Sequence, residues 1–130
     1  MKRIIFVGMC HKPDKPALCP TTKTGKLINR IIAKLPSSTQ IEKTNLYSTD
    51  YLPMKSDEQI ELQEEWFWTT LPTYDDVIVL LGQRTQLDFV RMNNNHNLRP
   101  LRVAHPASKR SHVDMDKYVN DVSMKILKRM

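Results

Sequence analysis

The sequence predicts an α/β domain: a three-layer α/β/α sandwich around a mostly parallel four-stranded sheet. Three observations lead there. Two apolar runs, "KRIIFVG" (2–8) and "DDVIVLLG" (75–82), are short, rich in β-branched residues and closed by glycine, as strands buried on both faces are. Segments with helical spacing of apolar residues lie between the apolar runs, and strands that alternate with helices form parallel sheets. The whole chain is 130 residues, without repeats, linker or low-complexity tract, which suits one domain over 1–130.

The elements follow in order. After the first strand, residues 9–22 form a proline-rich loop. "TKTGKLINRIIAKLP" (22–36) is a helix, with Leu27, Ile28, Ile31, Ile32 and Leu35 on one face and Pro36 as its stop. "QIEKTNLYS" (40–48) is a second strand, followed by a polar loop. "SDEQIELQEEWFWTTL" (56–71) is a helix with Ser56 as N-cap and acids in its first turn, where the helix dipole favours them. Any two of Trp66, Phe67 and Trp68 near its end can pack on the sheet, a role in the core rather than on a base. After the third strand come a helix over 84–92, a loop "NNNHN" (93–97) and a fourth strand, "LRVAHP" (101–106). The last helix spans 113–130, with Met115, Tyr118, Val119, Val122, Ile126 and Leu127 on one face.

Composition excludes several classes. Hydrophobic content of 40% and charged content of 26% fit a globular chain, neither fibrous nor disordered. The longest apolar runs are six or seven residues, whereas a membrane-spanning helix needs about 20. The N-terminal "MKRIIFVGMCHK" is too short an apolar stretch for a signal peptide, so a cytoplasmic location is expected. Cys10 and Cys19 then read as thiols, and with His11 and His105 they match no zinc spacing; no metal and no cofactor are expected. A net charge of +6 favours a polyanionic partner such as DNA, and equally describes a soluble basic surface.

Ligands of open parallel sheets bind outside the carboxyl ends of the strands. That rule selects "GMCHKPDKP", "NLYSTDY", "GQRTQ" and "HPASKRS". Gly8 and Gly82 close two strands at this edge and Gly25 opens the first helix, positions where the backbone either turns sharply or approaches a ligand. Asn45 is suited to read a nucleobase edge, or to cap a loop. His105 is suited to donate to a ligand oxygen or to act as general acid or base, or else to bond local backbone. "SKRSH" (108–112) offers Ser108, Lys109, Arg110 and Ser111 beside a helix start, where a phosphate is held or a solvated turn is formed. Cys10 and His11 are reactive groups or loop-shaping ones, and Tyr47 or Tyr51 is the aromatic best placed for a ligand. His96 and His112 are assigned to the surface.

In this order the segments resemble the uracil-DNA glycosylase superfamily. "GMCHKPDKP" stands where those proteins carry a first motif after strand 1, "KTNLY" where a strand-end asparagine reads uracil, and "HPASKR" where a late H-P-S motif follows the last strand; "LLGQ" looks like the usual end of the third strand. The resemblance runs from about residue 5 to 125 through order and placement rather than through any single motif. It implies a monomeric uracil-DNA-glycosylase-like domain that hydrolyses the N-glycosidic bond of uracil or a related damaged base in DNA. It implies Asn45 on the base edge and His105 donating to the base oxygen O2. It further implies pocket backbone at Gly8, Met9 and Cys10, with Tyr47 nearby and residues 107–111 on DNA. One departure is plain: Met9, Cys10 and His11 stand where the family usually has a water-positioning Asp, Asn or Glu, and Asp14 lies beyond Pro13. The alternative is an inactive nucleobase- or nucleic-acid-binding module on the same scaffold. A small α/β enzyme of another kind, acting on a free nucleoside or using Cys10 as nucleophile, is the third reading.

Overall fold

A computed structural model describes residues 3–10, 17–47, 56–92 and 98–130. The chain alternates strand and helix throughout: β1 (Arg3–Cys10), α1 (Lys23–Ile32), β2 (Gln40–Tyr47), α2 (Ser56–Thr70), β3 (Val77–Leu81), α3 (Gln83–Val90), β4 (Pro100–Val103), a 3₁₀ turn (Pro106–Ser108) and α4 (His112–Arg129). All three strand pairings are parallel and the order is β2-β1-β3-β4. The sheet is therefore wholly rather than mostly parallel, because every return to the sheet passes through a helical segment.

Alternate residues of each central strand enter separate cores. Ile4, Phe6, Val77, Val79, Leu81, Leu101 and Val103 join Leu27, Ile28 and Ile31 of α1 and Val119, Val122 and Ile126 of α4. Ile5, Val7, Ile78 and Leu80 join Trp66 of α2 and Phe89 of α3. Helices thus contribute to a core on each side of the sheet, compatible with a three-layer sandwich. All five residues of β3 and Ile4 to Val7 of β1 are buried, which explains why those two runs show no polar alternation.

Several boundaries differ from the sequence reading, four of them for a local reason that the structure shows. β1 continues to Cys10, since β2 pairs with it as far as Cys10↔Tyr47. α1 stops at Ile32, and Lys34 and Leu35 make tighter bonds to the carbonyls of Ile31 and Ile32 while Leu35 stays buried. β3 begins only at Val77, because the Asp76 carboxylate is bound to Arg3 and to the Thr73 N–H. β4 ends at Val103, because His105 and Pro106 are the cap and first residue of the 3₁₀ turn. The expected loop at 93–97, with His96, lies outside the described residues.

Of the three consecutive aromatics on α2, Trp66 is buried, Phe67 packs partly against the α2/α3 core and Trp68 is exposed. The expectation of core packing holds for the first two. Three successive helical positions span about 200° of the helix surface, so one of them had to face outward.

Candidate functional site at the carboxyl edge of the sheet

β1 connects onward to β2 on one side and lies beside β3 on the other, so the strand order reverses between β1 and β3. In a doubly wound sheet such a reversal, at the carboxyl ends of the strands, is where ligands bind. Gly8 and Gly82 stand on either side of it, and each has a polar side chain from the neighbouring strand lying over it.

On β1, Gly8 pairs with Asn45 of β2. A Cβ on Gly8 would meet Asn45 Oδ1 at 2.6 Å and the Leu18 side chain at 3.4 Å. The missing methyl is the space in which the amide oxygen lies. Leu18 belongs to residues 17–22, which fold back over the end of β1, and it adopts φ 52°, a conformation that costs an ordinary residue about 1 kcal/mol or more. The same segment explains Gly25. A Cβ there would come within 1.8 Å of the Cys19 carbonyl oxygen, so the first turn of α1 packs directly on that backbone, with Thr22 as its N-cap. Gly25 is a packing glycine.

On β3, Gly82 has φ 90° and begins α3. A Cβ there would lie 3.2 Å from His105 Cβ and 3.3 Å from Cδ2. The imidazole edge is thus pressed on the turn. His105 is also fixed along its own backbone: the Ser108 N–H and hydroxyl both donate to its carbonyl, at 3.0 and 2.7 Å, and the Tyr118 hydroxyl donates to the preceding Ala104 carbonyl at 2.6 Å. Gln86 of α3 donates to the Val103 carbonyl at 2.8 Å, tying the helix after Gly82 to the strand before His105.

The bond that decides the chemistry is a local one. His105 Nδ1 accepts the Ala107 N–H at 3.1 Å. A ring nitrogen that accepts carries no proton, so a neutral His105 has its proton on Nε2 and is a donor there. Although the residue as a whole is exposed, burial of part of the ring lowers its pKa below the ordinary 6.5 and favours that neutral form.

The remaining expected site residues fall elsewhere. Met9 turns its side chain to the α2/α3 core, where its sulfur accepts a weak bond from the Thr85 hydroxyl at 3.9 Å; only its backbone borders the Gly8 side. Tyr47 is fully buried: its hydroxyl donates to Asp88 at 2.8 Å and accepts from Gln63 at 2.8 Å, and burial pushes the phenol up to about 12. It clamps β2 to α2 and α3 and presents no ring to a ligand. Tyr51, His11 and the Cys10 side chain lie outside the described residues. In the basic turn, the Ser111 hydroxyl accepts the Asp114 N–H as the N-cap of α4, and the Ser108 hydroxyl is engaged on His105. The Lys109 ammonium sits 5.9 Å from the centre of the Tyr118 ring, and Arg110 is exposed. His112 is exposed at the start of α4, as expected.

Sequence reasoning missed Leu18, Gln86 and Tyr118. Leu18 had a weak signal, an apolar residue in a polar loop. The other two act through backbone carbonyls of distant segments and leave no local mark. Among the described residues no three His, Cys, Asp or Glu side chains are grouped to hold a metal ion, and no helix is long and apolar enough to cross a membrane. No protein-family model, no curated protein and no solved structure matches the chain.

Proposed function

We propose that the crevice between Gly8 and Gly82 receives a nucleobase, and that the chain is a DNA-glycosylase-like hydrolase acting on uracil or a related damaged base in DNA. The observation that supports this best is His105: a neutral imidazole just after β4, packed on Gly82, whose Nδ1 is occupied and whose Nε2–H is a donor. Asn45, whose side chain lies over Gly8, is the amide proposed to meet the edge of the base.

In the proposed reaction the bond between the sugar C1′ and the base nitrogen breaks with its electron pair going to the base. The sugar becomes cationic, and negative charge spreads onto the base oxygens. A neutral imidazole donor at O2 stabilises that charge as it forms, without first transferring its proton. Water then adds to C1′ and loses a proton. An extrahelical or single-stranded nucleotide is required, since these atoms are not reachable within a stacked duplex. The basic turn at 109–110 supplies cations for the flanking phosphates, Arg110 foremost, since it is exposed.

One specific observation favours a second reading, an inactive nucleobase-binding module: two of the four residues expected on the DNA backbone, Ser108 and Ser111, have their hydroxyls engaged within the turn. A single assay separates the readings. Uracil-containing single- and double-stranded oligonucleotides are incubated with micromolar protein and then cleaved with alkali. Strand breaks at uracil, reduced in the His105→Ala variant, support the glycosylase. Retained oligonucleotide binding with no abasic product at uracil or other damaged bases supports the binding module. Neither binding nor product leaves both readings without support.

A further inference from the structure

We propose that the outward face of α2 is a docking surface for a basic, apolar segment of a protein partner. This surface lies in a different layer from the carboxyl-edge crevice and owes nothing to the nucleobase reading.

α2 is apolar on two sides. Gln63, Trp66 and Thr70 face the sheet, yet Ile60, Trp68 and Leu71 are 55%, 68% and 56% exposed. Ile60, Glu64 and Trp68 follow one another at intervals of four along the helix, so they form a single ridge. Leu71 continues it just past the helix end, held at φ 47° with its N–H on the Phe67 carbonyl at 2.8 Å. The Trp68 indole stands edge-on to Phe67, with ring centres 5.5 Å apart, and Phe67 is itself packed on the core. The exposed ring is therefore already oriented, and ordering it on binding costs little entropy. A rigid, exposed tryptophan among aliphatic neighbours is the usual chemistry of an interface anchor. Leu87 and Val90 on α3, which meets α2 through the Trp66–Phe89 ring contact, are also about half exposed.

Charge selects the occupant. α2 carries Asp57, Glu58, Glu61, Glu64 and Glu65 and not one lysine or arginine. The rest of the chain holds all 20 basic residues and nine acids. The apolar ridge is thus set in the acidic element of a basic protein. A nucleic acid or an anionic bilayer is repelled there. A second copy of α2 is repelled too, because two-fold packing of this ridge brings Glu64 near its own equivalent. A segment with lysines or arginines flanking apolar residues satisfies both features at once.

The test is an anisotropy titration of the full chain with a labelled amphipathic peptide of leucine and lysine, beside its leucine–glutamate counterpart. The expected result is saturable binding of the basic peptide alone. Trp68→Ala should weaken it at least about 10-fold and Glu64→Lys several-fold. Both positions are exposed, so both variants should melt as the wild type does; should Trp68→Ala melt lower, Glu64→Lys carries the test. Equal binding of the two peptides, or wild-type affinity in the folded variants, overturns the proposal. So does self-association in sedimentation that Trp68→Ala abolishes, since a second copy is then the occupant.

Discussion

At the amino edge of the sheet Arg3 opens β1, Glu42 lies near the start of β2, and Asp76 precedes β3. The Arg3 guanidinium donates to Glu42 at 2.8 Å, to both Asp76 oxygens at 2.7 and 3.3 Å, and to the Leu71 carbonyl at 3.2 Å. Asp76 also accepts the Thr73 N–H. Each charged group there is matched to another of the same chain. At the carboxyl edge, glycine replaces a side chain at Gly8 and Gly82, and polar groups lie in the space this leaves. One nitrogen of His105 is assigned to local backbone, which leaves the other as a donor. The first edge uses polar chemistry to join strands. The second fixes one nitrogen of an imidazole and so directs its other nitrogen outward as a donor. A difference of that kind, rather than polarity itself, separates this structural network from the edge proposed to bind a base.

The strongest way to break this comparison is at the amino edge. Arg3→Ala leaves the Asp76 carboxylate, with its side chain only 7% exposed, without its cation. Loss of one partner from such a pair should lower folding stability by roughly 3 kcal/mol, somewhat less if Glu42, which is more exposed, relaxes into water. Urea denaturation checks it. Activity per folded molecule should stay unchanged well below the melting temperature. A variant that keeps its stability but loses base binding would show that the two edges are coupled.

His105→Ala is the reciprocal experiment. Turnover on a uracil-containing oligonucleotide should fall by about 10²-fold or more, the usual cost of one donor to a developing oxyanion, while the urea midpoint moves little. An equal loss from Arg3→Ala and His105→Ala, after correction for unfolded protein, would erase the distinction between the edges. Gly8→Ala sharpens it further. The new methyl requires Asn45 Oδ1 to withdraw from its 2.6 Å position, so the base-edge contact should suffer, by roughly 10-fold in affinity, with His105 untouched. If Gly8→Ala binds a uracil oligonucleotide as the wild type does, Asn45 does not read the base.

Much of this arrangement was legible in the sequence, because it depends on local pattern. The apolar runs that end in Gly8 and Gly82 mark the central strands, and the carboxyl-edge rule then points to Asn45 and His105 without any contact being known. What remained hidden is non-local. Tyr47 looked available because it lies beside Asn45 at the end of a strand. Its hydroxyl is instead satisfied by Gln63 and Asp88, 16 and 41 residues away. The collision that makes Gly25 necessary likewise depends on a segment that no period of 2 or 3.6 reveals, whereas Met9 follows the alternation of Ile5 and Val7 once β1 is known to run to Cys10. His105 seemed to end a strand because Pro106 follows an apolar run. The proline is the first residue of a 3₁₀ turn, where its missing N–H is no loss.

The smallest expected effect separates the two edges by acid alone. Burial by itself would raise the pKa of Asp76, but the bonds from Arg3 and Thr73 outweigh it and the net value lies below the ordinary 3.8. Its contribution to stability is complete above that value and is lost as pH falls through the lower, folded one. For His105, burial disfavours the charged ring and the folded pKa lies below 6.5, so the unfolded chain takes up the proton first. Its contribution is complete above pH 6.5 and is lost as pH falls through its own lower value. Melting temperature against pH should therefore decline in two separate windows, with His105→Gln flattening the upper one and Asp76→Asn the lower. Base excision should decline only with the upper window and with a midpoint below 6.5, because protonation of Nδ1 breaks its bond to the Ala107 N–H and turns a neutral donor into an imidazolium. A midpoint above 6.5 would mean that the charged ring is the working form, and the argument from the Nδ1 bond would fall with it.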